Sequence, residues 1–589
     1  MNTPLSYYTA EVKRITLELR LIKKRLVLLS ILRFSTFIVT ATLGYVFIAS
    51  NALVPILILG TFTFIFLLYK YTATKKEKKL TTELLHINEL EIAVINGDLS
   101  NLSSGKKYLN PKHFYSYDID LFGEGSFFQF INRTATKTGA KILAELITAN
   151  TTDNIPSKQE MLKELSGTPK WRQRFSAIAR VSKTETKASS ILNWIQTNTP
   201  FVPKTFQYLP IIFSVISLLL IVSYAIDIIP FGIIGLWFLI GMIITGKYFS
   251  KINTLYNDSN KVGATFKQIS LLLHEIEQSD FKNDILIKQK ERIANSDKKA
   301  SVLVNDFSKA LEAFDQRNNM LFGFFANGLL LWDLKQCYRI ETWIKNYATN
   351  VENWFEAISF FDAQNSLANF VFNKPDYTFP TIGKTGSIVN AENLGHPLLQ
   401  TQARVDNDFN IAQHEFFIIT GANMAGKSTF LRTVSLSIVM ANVGLPICAT
   451  KCDYTPIKLI TSMRTSDSLK DNESYFFSEL KRLKFIVDQV QQDDYFIILD
   501  EILKGTNSED KAIGSKKFVE RLVSTNATGI IATHDLSLCT IEKELSQIKN
   551  FYFDAEIKND ELYFDYTFKK GVCKNMNASF LLKKMEIIS

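Results

Sequence analysis

The chain has 589 residues, of which 46 % are hydrophobic and 12 % aromatic, with 45 Phe against 6 Trp. That length excludes a single compact domain, and the apolar content asks for membrane segments. The five cysteines (Cys337, Cys448, Cys452, Cys539, Cys573) are too few and scattered for a disulfide scaffold, so reduced thiols are expected, and Cys448 and Cys452 lack the second ligand pair of a zinc site. A net charge of +9 is no argument for nucleic acid by itself, because much of the Lys and Arg clusters beside the apolar runs described next.

Residues 1–30 form a basic leader, too long for a cleaved signal peptide and followed by no small-residue cleavage site. From Phe34 to Tyr69 no residue is charged. The run is too long for one span and suits two short ones turning near Ser50, Asn51 and Pro55, a hairpin over 31–70. Arg14, Arg20, Lys23, Lys24 and Arg25 precede it, and Lys70, Lys75, Lys76, Lys78 and Lys79 follow. The positive-inside bias therefore predicts both ends in the cytoplasm. Residues 71–204 read as helical, with Lys70 to Asn101 leaving the membrane and Asp118 to Ile147 forming a loop that leads into helices. From Thr205 to Gly246 the only charge is Asp227, beside Pro230, which predicts a second transmembrane hairpin over 205–247. Residues 248–374 are again helical in period, with Leu271, Leu272, Leu273 and Ile276 placed for a long coiled helix. From 375 to 589 short β-rich runs separated by Gly, Asn and Asp predict an α/β domain with a mostly parallel sheet. The expected protein is multi-pass in the cytoplasmic (inner) membrane, with the α/β domain in the cytoplasm.

The chemistry lies in that last domain. The apolar strand Glu415 to Thr420 runs into Gly421-Ala422-Asn423-Met424-Ala425-Gly426-Lys427-Ser428-Thr429, which fits G-x-x-x-x-G-K-[ST], and Phe430 to Met440 continues with helical period. Such a loop turns backbone N–H groups toward phosphate oxygens and adds the positive end of the helix dipole. Lys427 reaches the β- and γ-phosphates and the Ser428 hydroxyl ligates Mg²⁺, so ATP and Mg²⁺ are the expected cofactors. A second strand, Tyr495 to Leu499, ends in Asp500 and Glu501. Asp500 is the metal-side carboxylate and Glu501 is placed as the general base for the attacking water. A third strand, Gly529 to Thr533, ends in His534, read as a contact to the γ-phosphate or the water.

The strings ITGANMAGKSTFLRTV, FIILDEILKGTNSED and IIATHD, in this order, resemble the ATPase domain of the MutS mismatch-repair family. Gly395-His396-Pro397-Leu398-Leu399 resembles the family's segment beside the adenine, which implies a base contact for His396. Asp467-Ser468-Leu469 and the stretch Glu473 to Leu480 resemble its signature, whose serine maps onto Ser474. In that family the serine reaches the partner subunit's nucleotide, so the resemblance implies a homodimer with composite ATPase sites. It covers about Asn390 to the C-terminus, and more weakly Asp118 to Leu165, which is similar to the start of the family's helical core. Ala422 and Ala425 stand where Pro and Gly are usual, and Tyr475 where Thr is common. No room exists before Asp118 for a mismatch-reading domain, and Phe122-Gly123-Glu124, which spells the wedge pattern, lies inside the core-like segment.

The resemblance implies an ATP-binding and ATP-hydrolysing protein acting on DNA in mismatch repair or in sensing DNA structure, and the two apolar hairpins add a membrane anchor. A membrane ATPase acting on a protein or envelope partner is the alternative. A transporter is disfavoured: the Leu-Ser-Gly-Gly-Gln signature is missing before Asp500, and Asp227 is the one ionisable group inside the hairpins.

Overall fold

The computed structural model describes residues 3–181, 188–260, 262–294, 298–383, 386–464, 475–558 and 561–574. The chain forms two compact units, one of residues 1–95, 134–140 and 170–362, the other of 96–133, 141–169 and 363–589.

The first unit is helical. Helices α1 (Pro4–Val46) and α2 (Leu53–Ile95) reverse through residues 47–52 and pack against each other. Thr3 caps α1 by accepting from the Ser6 amide, and Pro4 occupies the first helical position, where no amide is needed. Each helix has 43 residues, about 65 Å at the α-helical rise, roughly twice a bilayer's hydrocarbon thickness. Both are long and apolar enough to cross a membrane, and no residue of their apolar stretches is buried. Where they cross, a Cβ on Gly60 would overlap the Thr40 side chain, so glycine sets the close approach. Below the apolar stretch the Arg33 guanidinium lies 3.9 Å from the Tyr71 ring.

Next in sequence come α3 (Phe127–Ile131), α4 (Lys137–Thr148) and α5 (Ile155–Ser166), which apart from the start of α4 belong to the second unit, and then α6 (Pro169–Val181) and α7 (Ala188–Thr197) of the first. The second hairpin is α8 (Leu209–Ala225) and α9 (Phe231–Lys247), turning at Asp227, which takes a left-handed φ of 56°. After a 64° bend α10 (Phe249–Ser259) follows, then α11 (Gly263–Gln278), α12 (Asp284–Arg292) and α13 (Ala300–Asp315). The leucines at 271–273 do not lie on a long coiled helix. Helix α11 stops at Gln278 and packs against α13, with Phe266 edge-on to Phe307 at 4.7 Å, burying Leu272, Leu273 and Ile276 and leaving Leu271 outside. Next come α14 (Met320–Leu330), an apolar helix the periodicity did not separate from its surroundings, and the 42-residue α15 (Trp332–Asn373).

In the second unit the chain continues through β1 (Thr381–Ile382), β2 (Ser387–Leu394), β3 (Asn407–Ala412), β4 (Phe416–Gly421), α16 (Lys427–Val443), β5 (Lys451–Tyr454) and β6 (Lys458–Ser462). Then follow α17 (Tyr475–Val490), β7 (Tyr495–Asp500), α18 (Ser508–Ser524), β8 (Thr528–Ala532), β9 (Ile548–Phe553), the hairpin β10 (Glu556–Lys558) and β11 (Glu561–Tyr563), and β12 (Lys569–Lys570). Strands β1, β5, β2 and β3 make a small sheet. The larger sheet has the order β12-β9-β4-β8-β7-β6, parallel except where β12 pairs with β9. Both faces of a parallel sheet are covered, which is why FFIITG, YFIILD and TGIIA read as unbroken apolar runs.

The core-like segment before α4 is tied to this sheet. The Asp118 carboxylate accepts from Thr461 Oγ1 at 2.6 Å and from the Arg464 amide at 2.9 Å. The Arg482 guanidinium donates to the carbonyls of His113 and Phe114 at 3.0 and 2.6 Å. Phe122 is buried in a ring cluster with Tyr108 and Phe128, so it is packing in this unit and not a projecting wedge.

Candidate nucleotide site

Strand β4 lies between β8 and β9, and its register with β8 (Ile419 opposite Ala532) and that of β7 with β8 (Asp500 opposite Ala532) bring three carboxyl ends together. Ligands of open α/β sheets bind at this edge, outside the carboxyl ends of the strands. Beyond β4 the loop turns back through Gly426, the N-cap of α16, whose φ of 105° favours glycine. At Gly421 a Cβ would sit 2.6 Å from the Phe553 carbonyl oxygen, so the residue must be glycine for a second reason, close approach. Met424, at φ 67°, forms the exposed tip of the loop.

Lys427 is 6 % exposed, and its Nζ donates to the carbonyls of Gly421 at 2.8 Å and Ala422 at 3.0 Å. Burial lowers its pKa, with Asp500 and Glu501 opposing that shift. Ser428 Oγ donates to Asp500 Oδ2 at 2.7 Å, so the two metal-side residues predicted from sequence meet directly. Burial raises Asp500, and the Ser428 hydrogen bond works against it. Glu501 adopts a left-handed φ of 50°, and its amide donates to the Ala532 carbonyl at 2.9 Å. That bond extends the β7–β8 ladder by one residue and turns the side chain toward the cleft.

His534 follows β8 and closes the group. Its Nε2 is 2.9 Å from Glu501 Oε1 and 3.2 Å from Lys427 Nζ. One ring nitrogen serves only one of these at a time: protonated it donates to Glu501, and unprotonated it accepts from Lys427. The His534 hydrogen bond, the largest influence, draws Glu501 down to about 2.

Ala422, Asn423, Met424, Ala425, Thr429 and His396 line the same cleft, about 530 Å³ in volume, with the residues already described. His396 accepts from the Leu398 amide through Nδ1 at 3.3 Å. Burial, and then the charges of Arg432 and Arg404, lower it to about 4, so it is neutral at physiological pH. Ser474 and the stretch Asp467 to Glu473 lie outside the described residues, although α17 begins at the next residue.

Three participants were not singled out in the sequence. Tyr566, in a left-handed φ of 52°, places its ring against the cleft, 3.0 Å from where a Cβ on Gly426 would be. No local pattern marks it. Lys504 Nζ stands 3.6 Å from Glu501 Oε2. Glu479, buried on α17, accepts from the amides of Leu503 at 2.6 Å and Lys504 at 3.1 Å, clamping the turn that carries Glu501. Its signal was present, because it lies in the signature-like stretch, but no role could be read there. Among the described residues no cluster of three His, Cys, Asp or Glu could hold a metal by itself, and all five cysteines are buried and outside any disulfide.

Residues 417–586 match the family described as MutS domain V. The chain is 30 % identical over 225 residues to MutS protein homolog 4 of Homo sapiens, covering 36 % of this chain and 23 % of that one. It is 29 % identical over 241 residues to DNA mismatch repair protein MutS of Staphylococcus haemolyticus, 40 % of this chain and 27 % of that one. With the protein of the same name from Listeria innocua it shares 28 % identity over 240 residues, 39 % and 27 % of the two chains. The match thus spans about a quarter of the length of these curated relatives. The likeness to the MutS family thus lies in the C-terminal nucleotide domain, where residues 417–586 match MutS domain V.

Proposed function

We infer that the chain is a membrane-anchored, Mg²⁺-dependent ATPase of MutS type. The observation that carries this is the convergence of Lys427, the Ser428–Asp500 pair and the Glu501–His534 pair at the carboxyl ends of three neighbouring strands. These residues fit a nucleotide with its metal. The loop at Gly421 and Gly426 leaves backbone room, and a buried ammonium rests on loop carbonyls that phosphate oxygens can replace. Lys427 then holds the β- and γ-phosphates, Ser428 and Asp500 hold Mg²⁺, and Glu501 takes the proton of the attacking water. His396 and Tyr566 line the same cleft, and His396 is the residue proposed to contact the base. Phosphate release from Mg²⁺-ATP by the purified full chain in detergent tests the activity, and its absence at high protein and nucleotide concentration overturns it.

Anchoring is supported by the exposed apolar faces of α1, α2, α8 and α9 and by the Lys and Arg at their flanks. A cysteine introduced at Asn51 or Ile229 should react with an impermeant thiol reagent applied from outside, whereas protection of both removes the anchor from the account. The composite dimer rests on Ser474. Ser474→Arg should bind nucleotide without hydrolysing it, and its co-expression with Lys427→Ala should restore part of the activity in heterodimers. DNA is the proposed ligand, because relatives are named for DNA mismatch repair. Binding to homoduplex, mismatched and branched DNA should then weaken steeply with salt. Flat, salt-insensitive titrations would favour a protein or envelope partner.

A further inference from the structure

We propose that α14 is a re-entrant membrane helix, entering the bilayer beside the α8–α9 hairpin and leaving on the side it came from, with Met320, Leu321, Phe324 and Phe325 against acyl chains. This rests on the reading that α8 and α9 span the membrane.

Composition makes the first case. Between Arg317 and Asp333 no residue is charged, and α14 has 11 residues, about 16 Å, half of a hydrocarbon core. Such a helix is too short to cross. Yet Met320 is 84 % and Leu321 72 % exposed, and Phe324 and Phe325 are about half exposed. An exposed surface of this kind, continuous with that of the neighbouring hairpin, is costly in water and ordinary in lipid.

Depth makes the second case. Helix α14 packs against both α8 and α9. A Cβ on Gly241 would collide with the Gly328 carbonyl, and one on Gly328 with the Phe238 ring, so the contact is a close glycine-mediated crossing. Phe238 also packs on Phe324, with ring centroids 4.9 Å apart. Ser217 Oγ donates to the Leu329 carbonyl at 2.6 Å and accepts from Trp237 Nε1 at 2.9 Å, satisfying a helix-end carbonyl that lipid would leave bare. Counting the α-helical rise from Lys247, Gly241 lies about 9 Å and Phe238 about 13 Å along α9, and from Leu209, Ser217 lies about 12 Å along α8. Helix α14 therefore touches the interior of the hairpin, not its polar end.

Both ends of the segment return to that polar end. Before α14, the Tyr256 hydroxyl donates to Asp315 Oδ1 at 2.7 Å, and Tyr256 is on α10, just past Lys247. After it, Glu341 of α15 accepts from the amides of Phe201 and Val202, just before α8, at 2.9 and 3.1 Å. Arg317 and Asp333, at 3.0 Å, join the entry to the exit, and Asn327 Oδ1 accepts from the Asp333 amide at 2.9 Å. The chain goes in and comes out on one side.

The test places nitroxides, one at a time, at Met320, Leu321 and Phe325 in the full chain reconstituted into phosphatidylcholine–phosphatidylglycerol vesicles. Leu219 of α8 and Leu236 of α9 serve as hairpin controls and Leu271 of α11 as the aqueous control. The buried native cysteines are handled by labelling the unsubstituted chain in parallel. Collision with oxygen should exceed collision with a water-soluble nickel chelate at the three α14 sites and both hairpin sites, and the reverse should hold at Leu271. Lipid-like hairpin sites with water-like α14 sites would overturn the re-entrant helix and leave the anchor standing. Water-like hairpin sites would overturn both. Should the Phe325 substitution disturb folding, Met320 and Leu321 at the exposed start of the helix still decide the outcome.

Discussion

His534 Nε2 stands 2.9 Å from Glu501 Oε1, although the two residues follow different strands. The hydrogen bond holds the Glu501 carboxyl at about 2, far below the ordinary range of a glutamate. A depressed carboxylate adds stability above its unfolded value, near 4.3, and loses it as the pH falls through about 2. At neutral pH Glu501 is therefore ionised in the folded domain.

Replacing the imidazole should change that. In His534→Ala the carboxyl loses its principal donor and rises toward the usual glutamate value, so the acid limb of the pH–rate profile moves upward in pH. Turnover should fall by roughly tenfold or more, with nucleotide affinity nearly kept. A profile measured between pH 4.5 and 8 that overlays the parent's would show that His534 does not govern Glu501.

Lys427→Ala should abolish measurable ATP binding, because this ammonium is the buried cation at the loop. Glu501→Gln should bind ATP and hydrolyse it about 10²–10⁴-fold more slowly, the water having lost its base while Asp500 keeps the metal. Equilibrium binding of a fluorescent ATP analogue and single-turnover hydrolysis separate the two. A Glu501→Gln rate near the parent's would place the base elsewhere.

Glu479 is predicted to position the Glu501 turn from α17. In Glu479→Gln one of the two accepting oxygens becomes an NH₂ facing a backbone N–H, leaving a buried donor unpaired at a cost of about 1–3 kcal/mol. The expected signature is a kcat lowered about tenfold or more with KM for ATP almost unchanged. Glu479→Asp should recover little, since the shorter arm cannot reach both amides. A raised KM with normal kcat would mean that the clamp serves binding instead.

His396 makes an acid-sensitivity prediction. Its folded value is about 4 against 6.5 for an unperturbed histidine, so the unfolded chain takes up a proton first as the pH falls. Stability is unaffected above about pH 6.5, declines from there to about pH 4, and the accumulated loss approaches about 3 kcal/mol. His396→Asn keeps an acceptor for the Leu398 amide and cannot titrate. Thermal unfolding of the detergent-solubilised variant should therefore depend less on pH between 6.5 and 4.5 than that of the parent, and parallel curves would exclude His396 as the cause.

What could be read from sequence was whatever is written in short spacing. The phosphate loop is nine consecutive residues whose glycines answer to φ and close approach, and Asp500 and Glu501 end an apolar run whose length marks a buried parallel strand. Charge-free runs flanked by Lys and Arg mark apolar hairpins for the same local reason. Tertiary structure decided the rest. Lys427, Glu501 and His534 meet only because β4, β8 and β7 are neighbours in the sheet, an order that spacing does not encode. Tyr566 arrives from beyond β11 without a motif, and Glu479 reaches the Glu501 turn from α17, a contact that its place in the signature-like stretch does not spell. The exposure of α14 is likewise invisible in a run of apolar residues, because a buried helix and a lipid-facing one read alike until neighbouring helices show which face is left uncovered.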